Sequence, residues 1–454
     1  MTRLVQSRVA VVSAAILVGP IAGALAVRKP ALALLACLGV IGLLALASLG
    51  DRAFPWAVML VAVAPWYPLT GDGVNAAPLV RQLLFCIAII AAVLVPTLWS
   101  VAQRENAERA RPNRLMLLLA ILSFGFIVLV FSTVGLKDMI QSGTVGFLLG
   151  GITFLCARHF GDPEPWMAAS FGGLMALALL GFAAFALDPG DRVGAFSGYA
   201  ITYGALVVLV LPGALVWAAR RSGLLAFVVA AMAGALLILS QSRSSWLAAV
   251  GMVFIVMLLL ARRGDYRLLF YVSTGLVVAL VLIFTTGSLH RIVEQRINSS
   301  IGSSESATHR EFSLHYVTGQ VHHRPVVGAA DPGYAAQQVG AQTDITAVDN
   351  GYGSISVDMG LLGLLVALFP IGVAAIVLTR SLRLGIASPP DIALALGIVG
   401  VAVVTLFYDS YYWAQLDLLM FAMGGVLSAR LAAIPRPRVV WRSGMYPEQA
   451  APSR

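Results

Sequence analysis

Histidine and arginine side chains concentrate in one hydrophilic stretch, residues 288–350, of a chain that is otherwise strongly apolar. Five of the six histidines lie there, namely His290, His309, His315, His322 and His323. The same stretch holds four arginines, Arg291, Arg296, Arg310 and Arg324, and it ends with Asp349 and Asn350. Arginine binds phosphate through its planar guanidinium, whereas histidine and aspartate can transfer protons. These residue types indicate anion binding and acid–base chemistry in one place.

A short amphipathic helix is predicted within this stretch. Thr308 and Glu311 have the spacing of a capping box, in which the hydroxyl of the first residue and the carboxylate of the second satisfy free backbone N–H groups. The helix would therefore begin at Thr308 and run to about His322. It would stop before Pro325, because the residue preceding a proline disfavours helical geometry.

The helical register separates Arg310 from most of the histidines. At 100° per residue, Arg310 shares an apolar stripe with Leu314, Val317 and Val321. The adjacent stripe holds His309, Phe312, Tyr316, Gln320 and His323, and the opposite polar side holds Glu311, His315, Thr318 and His322. We expect the helix to lie on the membrane surface with Arg310 on its inward half, where it would bind a phosphate. The alternative is that Arg310 binds lipid headgroups or pairs with a carboxylate.

Other polar residues stand at the ends of apolar runs. Four arginines are candidates to bind one anion, and they are Arg81, Arg192, Arg243 and Arg310. Of these, Arg243 lies in a tight turn, residues 241–246, that pins it at the membrane boundary. Asp349 and Asn350 open the run that contains Gly360-Leu361-Leu362-Gly363. Taken singly, each group is also explained as a helix cap or an interfacial anchor.

The apolar runs themselves predict the fold class. The chain has 454 residues, of which 59% are hydrophobic and 11% charged. Because lipid cannot satisfy free backbone groups, such runs cross a membrane as helices of about 20 residues. We predict an all-α, polytopic integral membrane protein with about 12–14 transmembrane helices and one long external loop containing a short amphipathic helix. The predicted spans are 9–27, 31–50, 54–70, 79–100, 115–135, 142–157, 166–187, 199–218, 223–241, 245–261, 268–286, 351–379, 391–408 and 412–432.

Charge distribution predicts the orientation of these spans. With the N-terminus inside, the arginine pairs of the short links, such as Arg220-Arg221 and Arg262-Arg263, fall on the inner side, as the positive-inside rule requires. The long loop is then external, and both termini are cytoplasmic. The net charge of +9 is thereby explained by membrane orientation and not by nucleic-acid binding. The first run, 9–27, is read as a transmembrane helix, with a cleavable signal peptide as the alternative.

This topology divides the chain into five segments. Residues 1–187 form N-terminal transmembrane helices, and residues 188–286 form central helices with outer arginine turns. Residues 287–350 are the long extracytoplasmic loop. Residues 351–432 form C-terminal transmembrane helices, and residues 433–454 are a cytoplasmic tail.

The order of several motifs resembles a known family. Arg192-x-Gly194 is followed by Ser242-Arg243-Ser244-x-Trp246, by Arg310 and by His323-Arg324-Pro325-Val326-Val327-Gly328 within the long loop. Asp349-Asn350 and Gly360-Leu361-Leu362-Gly363 complete the series. Over roughly residues 188 to 366, this order is similar to that of the bacterial O-antigen ligase and polymerase superfamily, whose members have a membrane fold of the GT-C type.

The resemblance implies a reaction and a set of partners. A metal-independent glycosyltransferase, with no cofactor, would move a glycan from a polyprenyl diphosphate carrier to a hydroxyl of a glycan, lipid or wall-polymer acceptor. The reaction would take place on the outer face of the bacterial cytoplasmic (inner) membrane. Arginines would hold the diphosphate, together with Asn350 as a substrate-binding residue. Asp349 stands where the family pattern has a histidine, and a carboxylate can also accept a proton; His309 and His323 are the other catalytic candidates.

Two alternatives to a glycosyltransferase remain open, a transporter and a non-catalytic scaffold. Separately, no metal site is predicted, because His315 and His322 are two helical turns apart, which is too far for one ion. A lipid-linked-sugar flippase or polysaccharide transporter would place ionisable residues near the middle of the membrane, whereas this chain places them at helix ends. A non-catalytic member of the same fold, acting as a scaffold, is the third possibility.

Overall fold

The computed structural model describes residues 52–64, 88–89, 92–93, 144–187, 193, 200–263, 270, 273–275, 277–278, 281, 285, 294, 305–331, 333–343, 348, 350–384, 388–408 and 413–433. All regular secondary structure within these residues is helical. The helices are α1 Ala53–Val63, α2 Thr144–Phe160, α3 Glu164–Leu187, α4 Ala200–Ala219, α5 Gly223–Ser240, α6 Arg243–Arg263, α7 Glu305–Val321, α8 Tyr334–Thr343, α9 Gly351–Leu384, α10 Pro389–Thr405 and α11 Ala414–Ala433.

The helix pattern confirms the predicted fold class. Helices α1 to α6 and α9 to α11 each fall on a predicted span. Five of them, α3, α4, α5, α9 and α11, are long and apolar enough to cross a membrane, and α1, α6 and α10 contain shorter apolar helices. The protein is therefore a polytopic, all-helical membrane protein. The predicted spans 9–27, 31–50, 79–100, 115–135 and 268–286 lie wholly or largely outside the described residues.

Ion pairs between helix termini lie at one end of the helix bundle. At this end, Nε of Arg430 near the end of α11 lies 3.2 Å from Oδ1 of Asp391 at the start of α10. Arg220 after α4 likewise pairs with Glu164 at the start of α3. Each carboxylate lies at a helix N-terminus and each guanidinium at a C-terminus, so both pairs also complement the helix dipoles.

The opposite end, which we call the polar end, gathers the turns that the sequence predicts on the outer face. The turn between α5 and α6 packs on α4, where Gly204 lies against the hydroxyls of Ser240 and Ser245. At the same end, the Tyr352 hydroxyl of α9 donates to the Ala402 carbonyl of α10 at 2.9 Å. The sorting of polar turns to one end thus agrees with the predicted topology, while the side of the membrane on which they lie stays a prediction.

Helix α9 is broken by a kink at Gly360. The backbone of Gly360 has φ +61° and ψ −160°, a combination that is essentially restricted to glycine. The kink releases backbone groups that a straight helix would pair internally, and the segment 325–329, which we call the clasp, binds them. The Leu361 and Leu362 N–H groups donate to the carbonyls of Pro325 and Val326 at 2.8 and 3.2 Å.

The clasp also donates a hydrogen bond in return, and this exchange requires two glycines in close contact. The Ala329 N–H donates to the Val357 carbonyl at 2.9 Å, the acceptor that Leu361 would use in a straight helix. A Cβ atom on Gly328 would lie 2.6 Å from the Gly360 nitrogen, and one on Gly360 would lie 2.5 Å from the Val326 carbonyl carbon. The sequence motifs around Pro325-x-x-Gly328 and Gly360-x-x-Gly363 therefore meet backbone to backbone.

We expect Gly360→Ala to lower the thermal unfolding midpoint of the purified protein in detergent. The left-handed backbone would cost an L residue about 1–2 kcal/mol, and the new Cβ would collide with the Val326 carbonyl. The matched control is Gly372→Ala in the same helix, where an added Cβ meets nothing within 4 Å. Equal midpoints for the two variants would show that the clasp contributes nothing to stability.

Candidate functional site

Helix α7 forms inside the polar stretch, with a different start from the predicted one. It begins at Glu305, so the residues 308–311 of the expected capping box lie within the helix, and the predicted start at Thr308 is wrong. An acidic residue in the first turn suits the positive end of the helix dipole, which favours the earlier start. The predicted end is confirmed, because α7 stops at Val321 and the His323 N–H turns back to the Gln320 carbonyl at 3.0 Å.

The face that α7 buries also differs in part from the predicted stripe. Val317 is buried and its methyl groups lie against the backbone of α9 at Gly353. Leu314, expected on the same stripe, is 56% exposed. The buried stripe instead runs along Ser313 and Val317 with the half-buried Tyr316 beside it, since α8 and α9 cover this side. His315 and His322 are exposed, as predicted.

Helix α8 was not predicted, and a buried carboxylate holds its N-terminus. Asp358 lies in α9 with 0% exposure. Its Oδ2 accepts from the Gly333 N–H at 2.8 Å and its Oδ1 accepts from the Ala335 N–H at 2.7 Å. Free N–H groups at a helix start need such acceptors. An aspartate inside an apolar run indicates a buried polar contact, but the sequence does not identify its partner.

A tyrosine pair accompanies this carboxylate. Burial raises the pKa of the Tyr316 phenol, and the neighbouring Tyr334 and Asp358 raise it further. Tyr316 therefore stays protonated, as a hydrogen-bond donor, throughout the physiological pH range. The two rings belong to the apolar cluster that joins α7, α8 and the first half of α9.

A polar pocket opens where α7, the clasp and α8 meet. Its volume is about 510 Å³. The lining consists of Gln320, His323, Arg324, Gly328, Ala329, Asp331, Tyr334 and Val357. Among the predicted catalytic residues, His323 lies here, with its neighbour Arg324. The other members of the lining were not predicted as site residues, because only folding brings them next to His323.

Two further predicted residues lie at the polar end of the bundle. Arg243 is the first residue of α6 and its side chain is exposed. The hydroxyls of Ser242 and Ser245, 2.9 Å apart, stabilise the turn that presents it. Asn350 caps α9, since its Oδ1 accepts from the Gly353 N–H at 3.0 Å. Asn350 therefore acts as a helix cap, which was the alternative to a substrate-binding role.

For the remaining predicted site residues, the structure describes only neighbours in the sequence. Arg81, Arg192 and Asp349 lie outside the described residues, as do the side chains of His309 and Arg310 within α7. Next to Arg192 in the sequence, the Val193 N–H donates to the Leu239 carbonyl at 3.1 Å, beside the turn that bears Arg243. Val348, next to Asp349, is buried against α7 and α8. Both the grouping of these residues at the polar end and their roles stay predictions.

No metal centre is present in the part of the chain that the structure describes. Histidine, cysteine and acidic side chains form no group of three or more there that could hold an ion.

Comparison with known sequences finds a family match for part of the chain. The helices and their apolar length define a polytopic membrane protein. Residues 227–368 match the family described as O-Antigen ligase, which confirms the resemblance to the O-antigen ligase and polymerase superfamily, a family of membrane glycan transfer. The matched region runs from α5 into α9 and includes α7, the clasp, α8 and the pocket. No curated protein matches the chain.

We expect Asp358→Asn to loosen α8 without unfolding the bundle. An amide has only one acceptor oxygen, so its NH₂ group would face one of the two N–H donors, and loss of a helix cap costs about 1–2 kcal/mol. Hydrogen exchange at the amides of residues 333–343 should therefore accelerate by about tenfold. Asp391→Asn, at the opposite end of the bundle, serves as the control and should leave exchange in α8 unchanged. Unaltered exchange in Asp358→Asn would refute the capping role.

Proposed function

We propose that this protein is a glycosyltransferase that moves a glycan from a polyprenyl diphosphate carrier to an acceptor hydroxyl. The observation that carries the proposal is the O-Antigen ligase match over residues 227–368, because it covers the elements around the polar pocket and the arginine turn between α5 and α6. The acceptor is a glycan, a lipid or a wall polymer. The reaction takes place on the outer face of the bacterial cytoplasmic membrane, with both termini cytoplasmic.

In this proposal the arginines stabilise the leaving group. The acceptor oxygen attacks the anomeric carbon while the bond to the carrier diphosphate breaks, so negative charge grows on the diphosphate. Preorganised cations in a site of low dielectric constant stabilise such charge. Arg243 suits this role because it is exposed at the N-terminus of α6, where the backbone N–H groups also attract anions. Arg192 and Arg310, with Arg81 as a fourth, complete the proposed anion site.

The acceptor hydroxyl needs a base, and Asp349 is the proposed one. Its sequence neighbour Asn350 caps α9 and thereby fixes the backbone at that point. A carboxylate can take the proton of a hydroxyl as the new glycosidic bond forms. His309 is the second candidate for this proton.

A transporter without catalysis is the competing proposal, and the buried carboxylates argue against it. Transport sites place ionisable groups near the membrane midplane and leave them able to bind a substrate or ion. Among the described residues, Asp391 and Asp417 are buried within the first turns of α10 and α11, and Asp358 is occupied by the N-terminus of α8. These three carboxylates do not form the midplane site that a transporter needs.

The proposal is tested by reconstituting the full chain with a polyprenyl diphosphate oligosaccharide and following release of the carrier diphosphate. We expect Arg310→Ala to reduce turnover by about 10²-fold, the usual loss when one preorganised donor to a developing anion is removed. Asp349→Ala should reduce turnover by a similar factor, with recovery at high pH, where hydroxide can replace the base.

Arg383→Ala is the matched control, because Arg383 is an exposed arginine near the far end of α9. Its turnover should equal that of the wild type. Unchanged turnover in both Arg310→Ala and Asp349→Ala would refute the site. Absence of turnover with any donor, together with measurable translocation of the lipid, would favour the transporter.

Turnover should survive removal of divalent cations. The proposed arginines supply the positive charge that a metal would otherwise provide, so an excess of EDTA should leave the rate within about twofold of the untreated protein. Loss of turnover in EDTA that is restored by Mg²⁺ or Mn²⁺ would contradict metal independence.

A further inference from the structure

We propose that the pocket between α7, the clasp and α8 binds an uncharged sugar unit of the glycan, a role that rests on the proposed function. The polar side chains of its lining are Gln320, His323, Arg324, Asp331 and Tyr334. This assignment makes His323 a sugar-binding residue instead of a catalytic one.

The chemistry of the lining matches a ring of hydroxyl groups. Each sugar hydroxyl both donates and accepts a hydrogen bond, so its site must offer both kinds of partner. Arg324 only donates and Asp331 only accepts, whereas Gln320, His323 and Tyr334 can do both. Tyr334 also offers an aromatic ring to the apolar face of a sugar. Gly328 and Ala329 carry little or no side chain, which leaves room for the ring.

Charge distinguishes this pocket from a diphosphate site. Arg324 and Asp331 carry opposite charges, so the charges of these two side chains offset one another in the lining. A diphosphate placed here would be repelled by the Asp331 carboxylate, which would weaken its binding. By contrast, Arg243 lies at a helix N-terminus, where both the guanidinium and the free backbone N–H groups attract an anion. The volume of about 510 Å³ is in the range of pockets that enclose small molecules.

The backbone holds the lining in place before any ligand arrives. The clasp fixes Gly328 and Ala329 on the kink of α9 through the hydrogen bond from Ala329 to Val357. Asp358 fixes the start of α8, and therefore Tyr334, through its bonds to the Gly333 and Ala335 N–H groups. A pocket with such preformed walls loses little entropy when it binds a sugar.

The pocket lies away from the proposed reacting centre. Val357 in its wall is seven residues along α9 from Asn350, a distance of about 10 Å at 1.5 Å per residue. We therefore assign the pocket to a different sugar unit from the one whose hydroxyl would meet Asp349. It is a neighbouring unit of the same glycan, held so that the reactive end reaches the arginines.

Binding is tested with the full-length protein in lipid nanodiscs by saturation-transfer difference NMR. The probes are neutral mono- and disaccharides of glucose, galactose, mannose, rhamnose and N-acetylglucosamine. We expect at least one disaccharide to bind, and Gln320→Ala and His323→Ala to weaken it at least fivefold. His322→Ala is the matched control, because His322 is exposed and is not part of the lining. It should bind as the wild type does.

A parallel titration with inorganic pyrophosphate, followed by ³¹P NMR, separates the two sites. Pyrophosphate affinity should fall in Arg243→Ala and stay unchanged in Gln320→Ala. The inference is overturned if no saccharide of the panel binds, if His322→Ala and His323→Ala weaken binding equally, or if Gln320→Ala weakens pyrophosphate binding. Saccharide binding that depends on Gln320 in a protein without transferase turnover would uphold the pocket and refute only the proposed reaction.

Discussion

The exchange of backbone hydrogen bonds at Gly360 is the constraint on which the polar half of the molecule depends. A helix in an apolar environment cannot leave N–H or C=O groups unpaired, since each such group costs several kcal/mol. The kink in α9 releases the Val357 carbonyl and the Leu361 N–H, and the clasp pairs with both. The clasp is therefore bound to α9 at a fixed position. Because α7 precedes the clasp and α8 follows it, this position also determines where α7 and α8 pack on α9.

The buried carboxylate of Asp358 works together with this exchange. It lies two residues before Gly360 and reaches across to the N-terminus of α8, while the clasp binds the kink itself. A carboxylate without exposure is tolerable only when hydrogen bonds replace its water, and the Gly333 and Ala335 N–H groups do so. The long loop is thus bound to α9 at two points, the N-terminus of α8 and the clasp. The pocket is lined by residues from both.

The sequence was sufficient for the elements that hydropathy and proline placement control. The spans near α3 to α6 and α9 to α11 follow from apolar length, and the end of α7 follows from Pro325. It was insufficient for contacts made across the loop. Neither α8 nor its bond to Asp358 could be predicted, because the partners are 23 and 25 residues apart and no local pattern joins them. The exposure of Leu314 was missed for the same reason, since α8 determines which side of α7 is covered.

In the proposed function, this arrangement separates the sites for two chemically opposite parts of a lipid-linked glycan. A diphosphate requires concentrated positive charge, and a sugar requires alternating donors and acceptors with little net charge. A carboxylate placed among the arginines to bind sugar hydroxyls would weaken their attraction for the diphosphate. Here Arg243 lies on the bundle at the start of α6, whereas Asp331 and Tyr334 lie on the loop beyond the clasp. Since α9 carries both Asn350 at its start and the clasp at its kink, we propose that it sets the spacing between the reacting end of the glycan and the sugar unit behind it.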